Sequence, residues 1–170
     1  DNQLPQPPVF APHPSEEDLK KANAQNLSQP AAADKQKGMV EYSGILKILL
    51  IEATDLPNLD IGLTDLTDAY VVFSNQAGTQ TVKSKVINNS LNPQWNQSFD
   101  LCISGLTETV KFIVMDHDMM SSDDLVGEGV LSLDGLDDGK PKDLWIPMYT
   151  NSKEVPNARL HVQLTYLKIA

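Results

Sequence analysis

Acidic residues crowd into two short segments of this chain, and both have the composition of a cation site. The segments are Asp116-His117-Asp118-Met119-Met120-Ser121-Ser122-Asp123-Asp124 and Asp60-Ile61-Gly62-Leu63-Thr64-Asp65-Leu66-Thr67-Asp68. Two carboxylates about 4 Å apart repel by roughly 4 kcal/mol at a near-surface effective dielectric, so a close group of them persists when a cation compensates the charge. Calcium is the cation that such hard oxygen ligands suit. The alternative is a pair of solvated acidic loops.

A strand precedes each acidic segment, which favours a built site over two solvated loops. The run from Thr109 to Met115 is β-branched and aromatic, and the run from Gly44 to Glu52 leads into Asp55. Both acidic segments therefore follow strand ends, where a rigid sheet can hold them close together.

Composition indicates one soluble domain plus a tail, with a net negative charge that is concentrated in part of the domain. The chain has 170 residues, 41% of them hydrophobic, and no apolar run of membrane-spanning length. Thirteen basic residues against twenty-three acidic ones give a formal charge of -10, which argues against nucleic acid as a partner and against a broad basic membrane patch. The single cysteine, Cys102, rules out an internal disulfide framework and fits a reducing compartment, so a cytoplasmic location is expected.

Residues 1–43 are predicted to be a disordered, proline-rich tail. The first forty residues hold six of the eleven prolines and one aromatic residue, Phe10, which is too little apolar surface to fold alone. Ser15 and the acids after it have the pattern of a helix start, so the tail is predicted to hold at most one short helix, over 16–27. The tail is also where a protein partner could bind.

From residue 44 onward the pattern predicts an all-β domain. Strand-like runs alternate with turn signals at a short, even pace, which is typical of an eight-stranded antiparallel β-sandwich of the Greek-key type. The predicted strands are 45–53, 69–74, 79–87, 94–102, 109–115, 129–133, 144–149 and 158–167. In the last strand, Leu160, Val162, Leu164 and Tyr166 share one face, which predicts its core side. Trp95 and Trp145 are expected to pack in the core or at its rim.

The residues from about Gly44 to Ile169 resemble a C2 domain, the eight-stranded sandwich that binds calcium and phospholipid. Three motifs together carry the resemblance: Leu56-Pro57 leading to Asp60 and then Thr67-Asp68-Ala69-Tyr70-Val71, the turn Ser90-Leu91-Asn92-Pro93-Gln94-Trp95-Asn96, and Asp116-His117-Asp118 running to Asp124-Leu125-Val126-Gly127. The chain enters directly on the strand at 45–53 and closes on 158–167, which resembles the permuted strand order called type II.

The resemblance implies a site for two to three Ca2+ ions between the first and third loops of the domain. The implied ligands are the carboxylates of Asp60, Asp68, Asp116, Asp118 and Asp124, with oxygens added by Ser121 and by the backbone carbonyl of His117. The segment between Asp60 and Asp68 is two residues longer than is usual in the family, so Asp65 could replace or supplement a ligand of the first loop. Ala69 stands where proline is common, a change that removes no oxygen ligand.

Apolar residues at the loop tips imply an edge that enters a membrane. Met119 and Met120 stand where a basic residue often follows the second aspartate, and Leu63 and Leu66 could cap the first loop in the same way. Each such side chain contributes about 1.5–3 kcal/mol when it is fully buried in an acyl region. The alternative is that these residues fold back into the domain.

Lys83 and Lys85 have two interpretations: a small second site for anionic headgroups, or ordinary solvated strand residues.

These features predict a calcium-dependent phospholipid-binding module that is cytoplasmic and associates peripherally with membranes. No enzymatic role is expected, because His13, His117 and His161 are each interpreted as ordinary surface residues rather than as a catalytic base. Two alternatives remain open. One is a calcium-independent protein-interaction scaffold of the same fold, and the other is the regulatory fragment of a larger lipid-modifying or membrane-fusion protein.

Overall fold

Eight β-strands make up all the regular structure in the described part of the chain, which confirms the predicted all-β class. The structure is a computed structural model that describes residues 41–59 and 65–169. Its strands are β1 Gly44–Thr54, β2 Ala69–Ser74, β3 Thr81–Lys83, β4 Gln94–Ile103, β5 Thr109–Asp116, β6 Asp124–Ser132, β7 Lys142–Thr150 and β8 Lys153–Lys168. Nothing in the described ranges forms a helix that is long and apolar enough to span a membrane. The helix predicted over 16–27, and the predicted tail up to residue 40, lie outside the described residues.

The strands form the predicted antiparallel sandwich. Hydrogen-bonded neighbours follow the order β3-β2-β5-β6-β7-β8-β1-β4. A single residue pair, Glu128 opposite Tyr149, joins β6 to β7, whereas β5 pairs with β6 along most of its length. The sheet therefore folds between β6 and β7 into two four-stranded halves that face each other across the core.

The first and last strands are direct neighbours. β1 pairs with β8 from Gly44 opposite Lys168 to Thr54 opposite Arg159. Just before β1, Ser43 N donates to Ile103 O at 2.8 Å, and Ser43 O accepts from Ile169 N at the same distance. Entry into the domain and the last described strand thus lie side by side, as a permuted order requires, and the type II assignment itself stays a prediction.

Side-chain alternation along the strands builds the core. The predicted core face of β8, with Leu160, Val162, Leu164 and Tyr166, is buried, which confirms the prediction. The largest fully buried side chains come from both halves of the sandwich and include Leu46, Ile48, Leu50, Phe73, Trp95 and Phe112. Burial of each such side chain stabilises the fold by about 1.5–3 kcal/mol before conformational entropy is counted.

Strand β3 is shorter than the predicted strand 79–87. Beyond Lys83, pairing with β2 continues only as separate contacts, with Ser84 N donating to Val71 O and Ile87 N donating to Ala69 O. Between these two contacts Lys85 N donates to Gln97 Oε1 of β4, at 2.9 Å. The segment after β3 therefore contacts both halves of the sandwich, β2 in one and β4 in the other.

Strands β6 and β8 both begin earlier than predicted, and both contain residues that usually break strands. Gly129 is required by close packing, since a Cβ built there would lie 2.7 Å from the Phe112 ring, and Gly127 has the same relation to the Met148 side chain. In β8, Pro156 is followed by Asn157 with a left-handed φ of 63°, so the strand continues through an irregularity.

The hairpin between β7 and β8 offers a test of backbone strain. Asn151 and Ser152 have φ values of 50° and 64° between the paired residues Thr150 and Lys153, which is a type I′ turn. Since serine carries a Cβ penalty in this region, Ser152→Gly is expected to raise the free energy of unfolding by about 0.5–1 kcal/mol in urea denaturation. The matched control is Ser98→Gly in β4, where glycine should lower stability. A loss of stability in both variants would contradict the turn assignment.

Candidate functional site

Strand register brings three acidic residues to one end of the sandwich. Asp116, the last residue of β5, lies opposite Asp124 of β6 on one side and opposite Ala69 of β2 on the other. Asp68 immediately precedes Ala69, so three of the predicted ligands stand at the ends of three adjacent strands. The connections at this end are named loop 1 (residues 55–68), loop 2 (84–93) and loop 3 (117–123).

Asp116 joins loop 1 to loop 3. Its side chain is only 6% exposed, and its Oδ1 accepts a hydrogen bond from Asp68 N at 2.8 Å. One residue later, His117 N donates to Asp68 O, also at 2.8 Å. The backbone of Asp68 is therefore held on both sides by loop 3, and the two acidic loops have a fixed relation to each other.

Loop 2 holds the other side of loop 1 through Asn89. Asn89 N donates to Asp68 Oδ1 at 2.7 Å, and the Asn89 side chain accepts from Leu66 N at 2.7 Å. Next to it, Ser90 N donates to Thr67 O at 2.9 Å. Asn89 has a φ of 55°, which asparagine tolerates better than most residues. Asn89 was missed as a site residue because in the sequence it has only the pattern of a turn.

The same loop also holds the start of loop 1. Asp55 N donates to Asn92 Oδ1 at 2.9 Å, and Leu56 N donates to Leu91 O at 2.9 Å. The turn motif that carried part of the family resemblance thus has a structural role, since Leu91 and Asn92 hold loop 1 at 55–56 and Ser90 holds it at Thr67.

Loop 3 folds around the Asp118 carboxylate. Asp118 Oδ2 accepts from Ser121 Oγ at 2.7 Å, and its Oδ1 accepts from Met120 N at 2.8 Å. These bonds favour the ionised form, so the Ser121 hydroxyl and then the Met120 amide hold the pKa of Asp118 below its usual value. Two of the predicted ligands, Asp118 and Ser121, therefore lie within hydrogen-bond distance of each other.

Asp123 belongs to the site, and the sequence analysis did not select it. Its Oδ1 accepts from Asp118 N at 3.0 Å and lies 3.4 Å from His117 Nδ1, while its Oδ2 accepts from the Tyr70 hydroxyl. The Asp118 amide and then the Tyr70 hydroxyl lower the pKa of Asp123. Burial, followed by the bond to Asp123, raises the pKa of Tyr70 to about 12. Asp123 thus ties loop 3 to β2.

Lys83 and Lys85 are both exposed, and Lys83 lies beside loop 3. Lys83 Nζ lies 4.2 Å from the centroid of the Tyr70 ring, a cation–π contact that places the ammonium near Asp123. The backbone of Lys85 is bound to β4, since its carbonyl accepts from Trp95 Nε1 at 3.0 Å.

The loop tips differ in exposure. Met119 and Met120 are 89% and 94% exposed, so neither folds back into the domain. Leu66 is half-buried, and Asp65 beside it is exposed. Asp60 and Leu63, predicted as a ligand and as a membrane contact, lie outside the described residues.

The donor set of loops 1 and 3 fits calcium in its chemistry. Within residues 41–59 and 65–169, no three His, Cys, Asp or Glu side chains already form a metal-binding group. The side chains of Asp68, Asp118 and Asp123 accept backbone N–H bonds instead. The predicted ligand atoms are nonetheless all hard oxygens, the kind that calcium binds, and those of Asp68, Asp116 and Asp124 stand at one end of the sheet.

Comparison with known proteins decides the family. The model of the C2 domain family matches residues 44–148, which include loop 2 and loop 3 in full and all of loop 1. The chain belongs to the C2 domain family. The resemblance found in the sequence motifs is thereby confirmed, and the match covers the strands that carry the site.

Relatives of this C2 domain occur in larger proteins. Synaptotagmin-5 of Arabidopsis thaliana is 36% identical over 104 residues, which cover 61% of this chain and 18% of that protein. A probable ADP-ribosylation factor GTPase-activating protein of the same plant is 37% identical over 101 residues, 59% of this chain and 29% of that protein. The chain therefore spans less than a third of the length of these relatives.

Solved structures share the fold. A C2 domain of plant extended synaptotagmin 1 superposes with a TM-score of 0.69 at 22% identity, over 76% of this chain and 98% of that one. A pair of C2 domains from extended synaptotagmin 2, solved with calcium bound, matches with a TM-score of 0.63 at 26% identity, over 75% of this chain and 47% of that one.

Proposed function

We propose that this C2 domain is a calcium-dependent phospholipid-binding module of the cytoplasm, which docks to membranes through loops 1 and 3. The observation that carries the proposal is the register that sets Asp68, Asp116 and Asp124 at the ends of three neighbouring strands, with Met119 and Met120 exposed on the loop between β5 and β6. An acidic group beside an exposed apolar pair has the composition of a membrane edge that is switched by a cation. The role is that of a binding module and not of an enzyme.

The proposed ligands follow the family motif. They are the carboxylates of Asp60, Asp68, Asp116, Asp118 and Asp124, the Ser121 hydroxyl and the His117 carbonyl, with Asp65 as a further candidate, for two to three Ca2+ ions. Bound calcium would supply positive charge and open coordination positions for the phosphate oxygens of a lipid headgroup. Asp123 is given a different role, because it does not stand at a ligand position of the family motif, and its two oxygens position Asp118 and Tyr70.

The chain itself provides the rest of the switch. Without a cation, the carboxylates of loops 1 and 3 repel the phosphates of a membrane surface, as does the formal charge of -10. Once that repulsion is removed, Met119 and Met120 can enter the acyl boundary, where each contributes about 1.5–3 kcal/mol. Lys83, next to loop 3, and Lys85 provide a secondary contact for anionic headgroups.

A thermal unfolding experiment tests the calcium part of the proposal. An ion that binds only the folded chain stabilises it by about 2.7 kcal/mol at a hundred times its Kd, so excess calcium should raise Tm relative to chelator. Asp124→Asn should reduce this rise, whereas Asp137→Asn, in the connection between β6 and β7, should leave it intact. Asp65→Asn reports whether Asp65 is a ligand. An unchanged Tm in millimolar calcium would contradict the proposal.

Asn89 should increase calcium affinity by positioning loop 1, although it is not a ligand itself. Asn89→Gly keeps the left-handed backbone and the N–H bond to Asp68 but removes the acceptor for Leu66 N. The loss of one hydrogen bond predicts calcium binding weaker by about three- to tenfold in a calorimetric titration. Asn96→Gly is the matched control, since Asn96 has a similar φ of 48° but lies in β4. Equal affinities in the two variants would contradict a positioning role for Asn89.

The hydrogen bonds inside loop 3 also favour a second candidate function. Asp118 and Asp123 accept bonds from Met120, Ser121 and Tyr70, so contacts within the chain itself define the shape of loop 3. A loop of this kind suits a calcium-independent interaction module, whose partner would be a protein that binds the acidic end of the sandwich or the tail at 1–43.

A further inference from the structure

Loop 3 carries the most exposed methionines of the described chain. Met119 and Met120 are 89% and 94% exposed, whereas Met148 is fully buried and Met115 is half-buried. A thioether in solvent is accessible to peroxide, while one inside a close-packed core is shielded. Because they are exposed, Met119 and Met120 should react with peroxide before Met115 and Met148.

The conformation of loop 3 does not depend on the two methionine side chains. Met120 N donates to Asp118 Oδ1, and Ser121 Oγ donates to Asp118 Oδ2. Asp118 N in turn donates to Asp123 Oδ1. Two of these bonds run from a backbone amide to a carboxylate and the third joins two polar side chains, so an oxygen added to either methionine sulfur leaves them in place.

We propose that Met119 and Met120 form an oxidation site, at which peroxide converts the apolar tip of loop 3 into a polar one and releases the domain from the membrane. This inference rests on the proposed function.

A lone pair of the thioether sulfur attacks one oxygen of hydrogen peroxide, an S–O bond forms and the O–O bond breaks. The departing hydroxide takes the proton of the transferred oxygen and leaves as water. Sulfur loses two electrons and the peroxide gains them, so a thioether and hydrogen peroxide give a sulfoxide and water.

Oxidation should weaken membrane binding and leave calcium binding unchanged. A sulfoxide is polar and keeps its hydrogen bonds to water, so its transfer into an acyl region is unfavourable where that of a thioether was favourable. Vesicle affinity of the doubly oxidised domain should therefore fall at least about tenfold. The proposed calcium ligands are all oxygens, so the rise of Tm in calcium should persist after oxidation.

The experiment uses the 170-residue chain with Cys102→Ala, because Cys102 is a free thiol that competes for peroxide. After brief treatment with hydrogen peroxide, peptide mass spectrometry locates the added oxygen, and sedimentation with phosphatidylcholine vesicles in excess calcium measures binding. We expect oxygen at Met119 and Met120 before Met115 and Met148, together with the fall in binding. Methionine sulfoxide reductase should restore binding.

A double variant assigns the effect to these two sulfurs. Met119→Leu with Met120→Leu keeps an apolar tip without a thioether, and its binding before and after peroxide should be the same, whatever its starting value. Oxidation of Met115 and Met148 as fast as of the loop pair, unchanged binding of the oxidised chain, or an equal loss in the leucine variant would each overturn the inference. If the untreated chain binds no vesicles in calcium, the proposed function has failed and the inference fails with it; if the untreated and oxidised chains bind equally, the inference alone fails.

Discussion

Replacing Asp116 and Asp118 together by asparagine is expected to abolish calcium-dependent vesicle binding while the domain stays folded. Asparagine retains one side-chain oxygen, which can accept from Asp68 N at position 116 and from Met120 N at position 118, and its NH2 group at position 118 can donate to the Ser121 hydroxyl oxygen. The two negative charges are lost, and calcium affinity depends steeply on the number of charged ligands, so binding should weaken by at least roughly a hundredfold. Sedimentation with vesicles measures the loss of binding, and circular dichroism of the same samples shows whether the domain stays folded.

The control for this variant is an identical change of charge at the other end of the sandwich. Asp134 and Asp137 lie in the connection after β6, far from loop 3, and Asp134→Asn with Asp137→Asn raises the net charge by the same amount. If both double variants lose binding equally, the effect comes from net charge and not from a site. Normal calcium-dependent binding by the Asp116 and Asp118 variant would contradict the ligand assignment.

Trp95→Ala should cause the largest loss of stability. The indole is 1% exposed, and its Nε1 donates to Lys85 O at 3.0 Å, so it packs the core and ties β4 to the start of loop 2. Deletion of a buried tryptophan costs about 3–5 kcal/mol, a large part of the 5–15 kcal/mol that is typical of a whole domain. Urea denaturation measures the change. Trp95→Phe, which keeps most of the apolar volume, should lose markedly less.

Trp145 provides the matched control, since it is the other tryptophan of the chain. It is half-buried on the outer side of β7, where it stacks on His161 with ring centroids 3.9 Å apart. Trp145→Ala should cost only about 1 kcal/mol, because it removes a stacked pair and not a core side chain. Similar losses for both alanine variants would contradict the assignment of Trp95 to the core.

The strands could be predicted because a period of two marks a half-buried strand. Leu160, Val162, Leu164 and Tyr166 alternate with polar residues, and the structure buries that face. The same reasoning began β6 only at Gly129 and β8 only at Ala158, whereas the strands start at Asp124 and Lys153. Gly127 and Gly129 are needed in β6 because the Met148 and Phe112 side chains leave no room for a Cβ, and packing of that kind is not visible in the pattern of one strand.

The sequence predicted the site residues that belong to short motifs of neighbouring positions. It did not predict the residues that reach the site only because distant parts of the chain meet there. Asp123 was missed because it is adjacent to Asp124, and the sequence does not show that Asp123 too has contacts within the site. Asp124 is the first residue of β6, and Asp123 before it meets the Tyr70 hydroxyl of β2. Asn89 likewise became a site residue only through its bonds to residues of loop 1.

His161 was predicted to be an ordinary surface residue, and the structure places it differently. Its side chain is only 13% exposed, because Trp145 lies opposite it on β7 and stacks on the ring. Carboxylates from two other strands, Glu52 at 3.2 Å and Asp143 at 2.8 Å, contact its two nitrogens. Such neighbours depend on which strands pair with β8 and in which register, and the residue pattern of β8 alone does not show its partners.

The most direct test of a calcium-switched membrane module is sedimentation of the chain with neutral and with anionic vesicles, each in excess calcium and in chelator. We predict that the chain sediments with vesicles in excess calcium but not in chelator. Binding to neutral vesicles should persist in calcium, because Met119 and Met120 enter the apolar region of the membrane without needing headgroup charge. Binding that is the same in chelator would contradict the calcium switch and favour the interaction module, and no binding to either vesicle would contradict the membrane role altogether.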